Sequence, residues 1–389
     1  MNALSFRNPV SAILVALICL MPGTAHAAEP AYLPEGTIDK VSPPSQVINP
    51  AITSQVDPAL AATDTWRPIN NGLPSYNHVN TLVADPVDAN IIYGGFSNDF
   101  GTVHGIYKTT DGGKNWLRAD TGLPAAANIM SLVMDTADRH ILYAINGQDE
   151  LYKSIDQGGH WAKLTTLPED VWCVAVNGAN IYVGGYSTVY HSTDGGSTFN
   201  PTFAYPGNGT MNSLWVDPGD SSHVIAALGS SLSQTINSGH SWTAYSLSGC
   251  DTAYTVALAV DPANTQNMIV GTWFCLLRTT NGGLTWTDVH DIGYVNFIRY
   301  DANDDNLVYA SSGYPGTSLL LKSIDGGDTW NNFDSGFPPS YQVAAMALGP
   351  SSLTGATHSA VYAGLSGRGI YTTDPELTHF KIWLPIIIK

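Results

Sequence analysis

The decapeptide Tyr107–Trp116, YKTTDGGKNW, returns five more times along the chain. The copies are YKSIDQGGHW ending at Trp161, YHSTDGGSTF at Phe199, SQTINSGHSW at Trp242, LRTTNGGLTW at Trp286 and LKSIDGGDTW at Trp330. A truncated seventh, IYTTDPELTHF, runs from Ile370 to Phe380. One acid or amide marks each copy: Asp111, Asp156, Asp194, Asn237, Asn281, Asp325 and Asp374, with separations of 45, 38, 43, 44, 44 and 49 residues. A period of this size means one supersecondary unit repeated, not seven active sites.

Each copy reads as two short strands joined by a tight turn. The residues before the turn alternate apolar and polar, as in Ile106-Tyr107-Lys108-Thr109. In the turn, the carboxylate or amide accepts hydrogen bonds from neighbouring backbone N–H groups, and glycine supplies positive φ at low cost. The closing aromatic is large enough to wedge between adjacent sheets. In the fifth repeat Val256–Val260 is one strand, DPANTQN the turn, and Met268–Thr272 the next. Leu276–Thr280 leads into the box and Trp286–Val289 makes a fourth. Four strands in about 44 residues describe one blade of a β-propeller.

The pattern Ser/Thr-x-Asp-x-Gly-x-x-Trp, once per blade, resembles the Asp-box or BNR repeat. That repeat occurs in sialidases, the sortilin ectodomain, xyloglucanases and the photosystem II assembly factor propellers. The resemblance spans residues 64 to 380 and implies a fold, since these relatives use one scaffold for unrelated tasks.

The segment Thr65–Pro74, TWRPINNGLP, matches the outer-strand segment Asn115–Pro124, NWLRADTGLP. An orphan fourth strand at the start complements the last repeat, which breaks off after Asp374. The expected architecture is therefore all-β: one seven-bladed propeller of four-stranded antiparallel blades, its last blade closed by an N-terminal strand. Closure removes sheet edges that would invite aggregation.

Outside the ring, residues 1–27 have the form of a secretory signal, with Arg7 in the n-region, an apolar core from Ala12 to Met21, and Ala25-His26-Ala27 as the cleavage site. Residues 28–63, rich in Pro, Ala and Ser, read as a linker. The propeller is assigned to 64–375, and the apolar stretch in tail 376–389 is too short to span a bilayer. The expectation is a secreted, extracytoplasmic protein with no transmembrane span after signal removal.

Composition narrows the partners. Arg7 leaves with the signal, so the mature chain carries 14 basic against 32 acidic side chains and repels nucleic acid at long range. Cys250 and Cys275 fall at the same end of the fifth blade, where an oxidising compartment would let them form a disulfide. Cys173, in VWCVAV, reads as a small buried hydrophobe. No Cys/His pair has metal-site spacing, and no cofactor is expected. Asp301–Asn306, DANDDN, resembles the start of an EF-hand loop, but its twelfth position is Ser312, and it aligns with the ordinary turn DPANTQN.

Propellers bind ligands on the face built from blade-to-blade connections and second-to-third-strand loops. The candidates there are Asp99, His104, Asp170, Trp172, Tyr205, Asp251, Tyr254, Trp273, Asp291, Tyr294, Tyr341 and Arg368. Acids interleaved with Tyr and Trp suit a carbohydrate, rings against pyranose faces and carboxylates for hydroxyls, and equally suit an extracytoplasmic protein partner. The seven box residues are structural.

Catalysis by a sialidase would need three clustered arginines. The six of the mature chain are Arg67 and Arg118 on outer strands, Arg139 in a turn, Arg278 on a third strand, and Arg299 and Arg368, the two able to face the mouth. A xyloglucanase-like glycoside hydrolase would need two mouth carboxylates converging on a cleft. Relatives of that kind use two propellers, whereas this chain has one ring. The leading expectation is non-catalytic recognition, with glycoside hydrolysis as the alternative.

Overall fold

Why the ring closes is visible in strand pairing. The computed structural model describes residues 65–75, 78–97, 104–147, 149–204, 211–249, 254–313, 318–352 and 358–374. Among these the first strand is β1 (Arg67–Pro68). Blade one is β2 (His78–Ala84), β3 (Ile92–Ser97), β4 (Gly105–Thr109) and β5 (Leu117–Arg118); blade two is β6 (Ile129–Met134), β7 (Leu142–Asn146), β8 (Glu150–Ser154) and β9 (Ala162–Thr166). Blade three is β10 (Val171–Asn177), β11 (Asn180–Gly185), β12 (Thr188–Ser192) and β13 (Asn200–Ala204); blade four is β14 (Met211–Val216), β15 (Val224–Leu228), β16 (Ser231–Thr235) and β17 (Thr243–Ser246). Blade five is β18 (Thr255–Val260), β19 (Met268–Thr272), β20 (Cys275–Thr279) and β21 (Thr287–Asp291). Blade six is β22 (Val295–Tyr300), β23 (Val308–Ser312), β24 (Leu319–Ser323) and β25 (Asn331–Asn332). Blade seven joins β26 (Val343–Gly349), β27 (Ala360–Leu365) and β28 (Gly369–Thr372) to β1, with Arg67 opposite Thr372 and Pro68 opposite Tyr371. The expected seven antiparallel four-stranded sheets and the N-terminal closure are both present.

Burial follows from position in the blade. First strands of neighbouring blades pack side by side around the axis. Second strands are covered on both faces, so β3, β15, β19 and β27 are buried at every residue. Outer strands carry no such load, and β9, β13 and β21 are mostly exposed. The inter-blade contact demands a small residue. A Cβ on Gly95 would lie 2.6 Å from Ile129 Cγ2, and one on Gly271 would lie 2.3 Å from Val295 Cγ1, because the next blade's first strand seats a branched side chain there.

The box turns are built as the sequence implies. In six blades the Ser/Thr hydroxyl two residues before the acid or amide donates to its Oδ1 at 2.7–2.9 Å. That same Oδ1 accepts the N–H four residues on at 2.8–3.0 Å. The Ser/Thr oxygen in turn accepts the backbone N–H four residues after it, from a glycine in every case. Where the box has Asp194 or Asp325, the Thr198 or Thr329 hydroxyl donates to the carboxylate. Where it has Asn237 or Asn281, the amide donates to Ser241 or Thr285 instead. The hydroxyl simply reverses its role.

Hydrogen bonding holds the Asp156 carboxyl down at about 2, first through the His160 N–H and then through its side chain. Asp194 is held below the usual carboxylate range by the Thr198 N–H, then its hydroxyl. For Asp111 and Asp325 burial pulls upward, but their hydrogen bonds outweigh it.

The boxes also lock blade to blade. Lys108 Nζ caps the Gln157 carbonyl of the next box at 2.9 Å, and Arg278 Nε caps that of Gly326 at 2.8 Å. Trp116 and Trp161 donate their indole N–H backward to Ile69 and Ala119. Trp286 and Trp330 stay within their own boxes.

Asp374 departs from the expected box. It is buried, and its carboxylate accepts from the Ser352 N–H at 2.8 Å and the Ser352 hydroxyl at 2.6 Å. It thereby ties two segments of blade seven together, and its copy of the repeat lacks the glycines that make the box turn. Asp301 sits in a first-to-second-strand turn, as aligned, and is buried rather than solvated. It accepts from Asn303 N at 2.9 Å and from Ser359 N and Oγ.

Candidate functional site

The loop face carries the starts of first strands, the second-to-third-strand turns and the blade connections. Asp99, Tyr205 and Asp251 lie outside the described residues. The remaining candidates separate into two groups, one of which touches a ring of bulged residues at Trp172, and three further positions, His104, Tyr341 and Arg368.

The first group gathers at the joint of blades five and six. Tyr254 precedes β18, Trp273 occupies the turn between β19 and β20, and Tyr294 precedes β22. Their rings form a row, with centroids 5.1 Å apart from Tyr254 to Trp273 and 6.4 Å from Trp273 to Tyr294, tilted by 37° and 31°. Tyr254 is 47% exposed and the adjacent Phe274 58% exposed. Thr272 Oγ1 accepts the N–H groups of Phe274 and Cys275, which fixes the turn that presents Trp273 and Phe274. Asp291 ends β21 opposite Cys275, and the next residue, Ile292, donates its N–H to Phe274 O at 3.0 Å. Thus an exposed carboxylate borders a partly exposed run of rings. Large apolar rings left in water at a loop tip gain by covering a flat apolar ligand face, and a carboxylate beside them accepts hydroxyl donors.

Cys275, beneath this group, is disulfide-bonded, whereas Cys173 is a free thiol. The expected partner of Cys275, Cys250, lies outside the described residues. Burial pushes the Cys173 thiol up to about 12, although the residue keeps partial exposure.

The second group lies where blades two and three meet. Asp170 precedes β10 and Trp172 stands within it. The Asp170 carboxyl is raised, first by burial and then by the charge of Asp149. Asp149, just before β8, is not singled out by the sequence, because only the packing of two blades brings residues 149 and 170 together.

The ring of bulged residues forms the rim of the central channel, and the sequence candidates touch it only at Trp172. Each first strand bulges at one residue. In blade order these are Asn80, Met130, Trp172, Asn212, Val256, Asn296 and Ala344, all partly exposed. Asn80, Asn212 and Asn296 donate their amide N–H to the backbone of the next blade at 3.0, 2.7 and 2.9 Å. Trp172 Nε1 is buried without a hydrogen-bond partner. One-residue bulges leave no mark in composition or period, so nothing in the sequence singles this ring out.

Three candidates stand apart. His104 opens onto β4 with Nδ1 buried and unpartnered. Arg368 is exposed in the turn before β28, and its carbonyl holds Asn70 of the closing segment. Tyr341 donates its hydroxyl to Asp334 at 2.8 Å and packs its ring on Phe337. Arg299 lies near the far end of β22, three residues beyond the bulge, and is exposed.

The sequence matches no family model and no curated protein. Solved structures do match. YCF48 from Cyanidioschyzon merolae superposes with a TM-score of 0.59 at 15% identity, over 80% of this chain and 99% of that one. YCF48 bound to D1 peptide gives 0.59 at 16% identity, over 79% and 95%. The GH74 xyloglucanase from Xanthomonas campestris gives 0.61 at 15% identity over 79% of this chain, which spans about half (53%) of the enzyme. At such identity the likeness establishes the fold: this chain is a seven-bladed propeller of the kind found in both a peptide-binding protein and a glycoside hydrolase.

Proposed function

We propose that this protein is a non-catalytic recognition module that binds a neutral glycan on the loop face at blades five and six. The observation that carries the reading is the row of rings Tyr254, Trp273 and Tyr294, with Phe274 exposed beside it. Centroid steps of 5.1 and 6.4 Å present successive apolar surfaces on the scale of one sugar ring each, and Asp291 supplies an acceptor at the border. The signal-like residues 1–27 support export, where glycans are met.

A mature chain, residues 28–389, applied to a broad array of neutral glycans tests this, with hydrolysis of the same sugars followed in parallel. Saturable binding without turnover, weakened at least about ten-fold by Trp273→Ala and by Tyr254→Ala, supports the reading. No glycan bound, with a peptide or protein captured through the same rings, transfers the site to a protein ligand, the use to which a propeller of this fold is put in the YCF48 complex with D1 peptide.

A second reading rests on Asp170, whose carboxyl is raised beside Asp149 as a general acid's must be. Turnover abolished by Asp170→Asn, with binding retained, would establish a hydrolase instead.

A further inference from the structure

We propose that the joint of blades seven and one carries a second site, an acyl-transfer centre in which Ser366 is the nucleophile, His78 its base and the Gly367 N–H the donor to the oxyanion. Its substrate is a neutral ester of a short acyl group, which it hydrolyses. The site lies apart from the aromatic face of blades five and six and adds a reaction to the recognition proposed there.

The pair arises from a position that recurs around the ring. His78 stands two residues before the bulge at Asn80, as Tyr294 stands two before the bulge at Asn296. Ser366 follows Leu365, the partner of Val343, as Trp273 follows Thr272, the partner of Thr255. The joint geometry that sets Trp273 against Tyr294 therefore sets Ser366 against His78. Here the contact is polar: Ser366 Oγ lies 2.8 Å from His78 Nδ1, between residues 288 apart in the chain. Both residues are partly exposed. With the ring proton on Nε2, Nδ1 accepts and the hydroxyl donates, which is the relation of a nucleophile to its base.

The turn between β27 and β28 holds the serine in place. Ser366 N–H donates to Gln342 O at 2.9 Å, and Arg368 N–H closes back on Leu365 O at 3.2 Å. Gly367, between them, is exposed with φ at 68°, and a Cβ there would meet nothing within 4 Å. An incoming carbonyl needs that open space beside the nucleophile. Among the described residues the Gly367 N–H has no acceptor. The N–H that follows a serine nucleophile is well placed to receive the oxyanion as the tetrahedral intermediate forms. In the reaction Ser366 Oγ bonds to the ester carbonyl carbon while its proton passes to His78 Nδ1. Collapse breaks the bond from that carbon to the alcohol oxygen, and the alcohol leaves with the proton. Water then attacks the acyl-serine and gives a proton to Nδ1; the acid departs, and the proton returns to Oγ. An alcohol departs with less help than an amine, which selects esters over amides. Open space at the turn gives a long acyl chain nothing to pack on, and a net charge of −17 disfavours an anionic substrate.

Hydrolysis of phenyl acetate by the mature chain tests this, with phenol release followed in time and the acyl adduct trapped by acid and located by peptide mass spectrometry. The adduct is expected on Ser366, and turnover should fall at least about a hundred-fold in Ser366→Ala and in His78→Gln. The glutamine keeps a hydrogen-bonding partner for Ser366 but takes no proton. Loss of turnover in a His78→Gln protein that melts like the wild type therefore separates a base from a mere clip between blades. A fluorophosphonate probe needs no variant: Oγ bonds to phosphorus, fluoride leaves, and the hydroxyl proton passes to His78. Labelling of Ser366 in the wild type supports the proposal even where a substitution disturbs folding. No label on Ser366, an adduct spread over lysines and tyrosines, or turnover unchanged in Ser366→Ala or His78→Gln overturns it. No glycan enters either assay, so the outcome is independent of the reading at blades five and six.

Discussion

Removing the Trp66 side chain should nearly open the ring. Trp66 is 2% exposed and stands beside β1, a strand of two residues that alone completes blade seven. Its indole stacks on Phe337 at 4.7 Å, meets Phe333 edge-on at 5.4 Å, and donates to Phe333 O at 2.6 Å. Its backbone N–H donates to Ser335 O, and the following residues hold Ile370 and Arg368 through Ile69 and Asn70. Truncating a buried aromatic to alanine costs about 3–5 kcal/mol. The abandoned carbonyl of Phe333 adds about 1 kcal/mol or more. Against a total domain stability of about 5–15 kcal/mol, that is a large fraction. At about 2–4 °C per kcal/mol, Trp66→Ala should melt some 10–20 °C below the wild type. Trp66→Phe keeps a six-membered ring but loses the N–H and the volume of the second ring, and should cost about 2–3 kcal/mol. Urea midpoints and melting curves followed by near-ultraviolet circular dichroism measure both. If Trp66→Ala costs no more than Trp66→Phe, or melts within about 3 °C of wild type, packing at this strand does not close the ring and the reasoning fails.

Further outcomes are expected. Ser238 holds φ at 58° at a box position where Gly112, Gly195, Gly282 and Gly326 stand in other blades. Ser238→Gly should therefore raise stability by about 0.5–1 kcal/mol in urea unfolding, and a loss would show that the strain is absent. Asp325→Asn should be tolerated, as Asn237 and Asn281 are in their blades, while Asp325→Ala loses three hydrogen bonds at a partly exposed site and costs about 1–2 kcal/mol. In acid, the box carboxylates with depressed pKa contribute stability that is fully present above the unfolded value near 4. It is lost as pH falls toward about 2, where Asp156 protonates, so urea midpoints should decline across that window and not above it. The Cys173 thiol, pushed up to about 12, should resist Ellman's reagent at pH 8 in the native protein and react fully in denaturant.

The periodic features of this protein are legible in its amino-acid sequence alone. A box every 38 to 49 residues sets the number of blades, and the twin segments at Thr65 and Asn115 locate the closing strand. Local chemistry suffices there, because a turn made by Asp or Asn with glycine needs only its own neighbours, and strands alternate whatever they pack against. Asp374 marks the limit: it keeps the acid of the box without the glycines, and packing turns it to Ser352.

The site belongs to tertiary structure. Tyr254, Trp273 and Tyr294 are separated by 19 and 21 residues, and no local rule says their rings meet. Asp149 acts on Asp170 across a joint between blades, and Tyr341, outwardly a loop aromatic, is bound to Asp334. The bulged asparagines show the reason most plainly. In the sequence Asn80, Asn212 and Asn296 are three more amides on alternating strands. Only when seven first strands stand around one axis does each come to bond the backbone of the next blade. Repetition along a chain is a one-dimensional property and can be read there. Convergence on an axis is three-dimensional, and folding alone decides it.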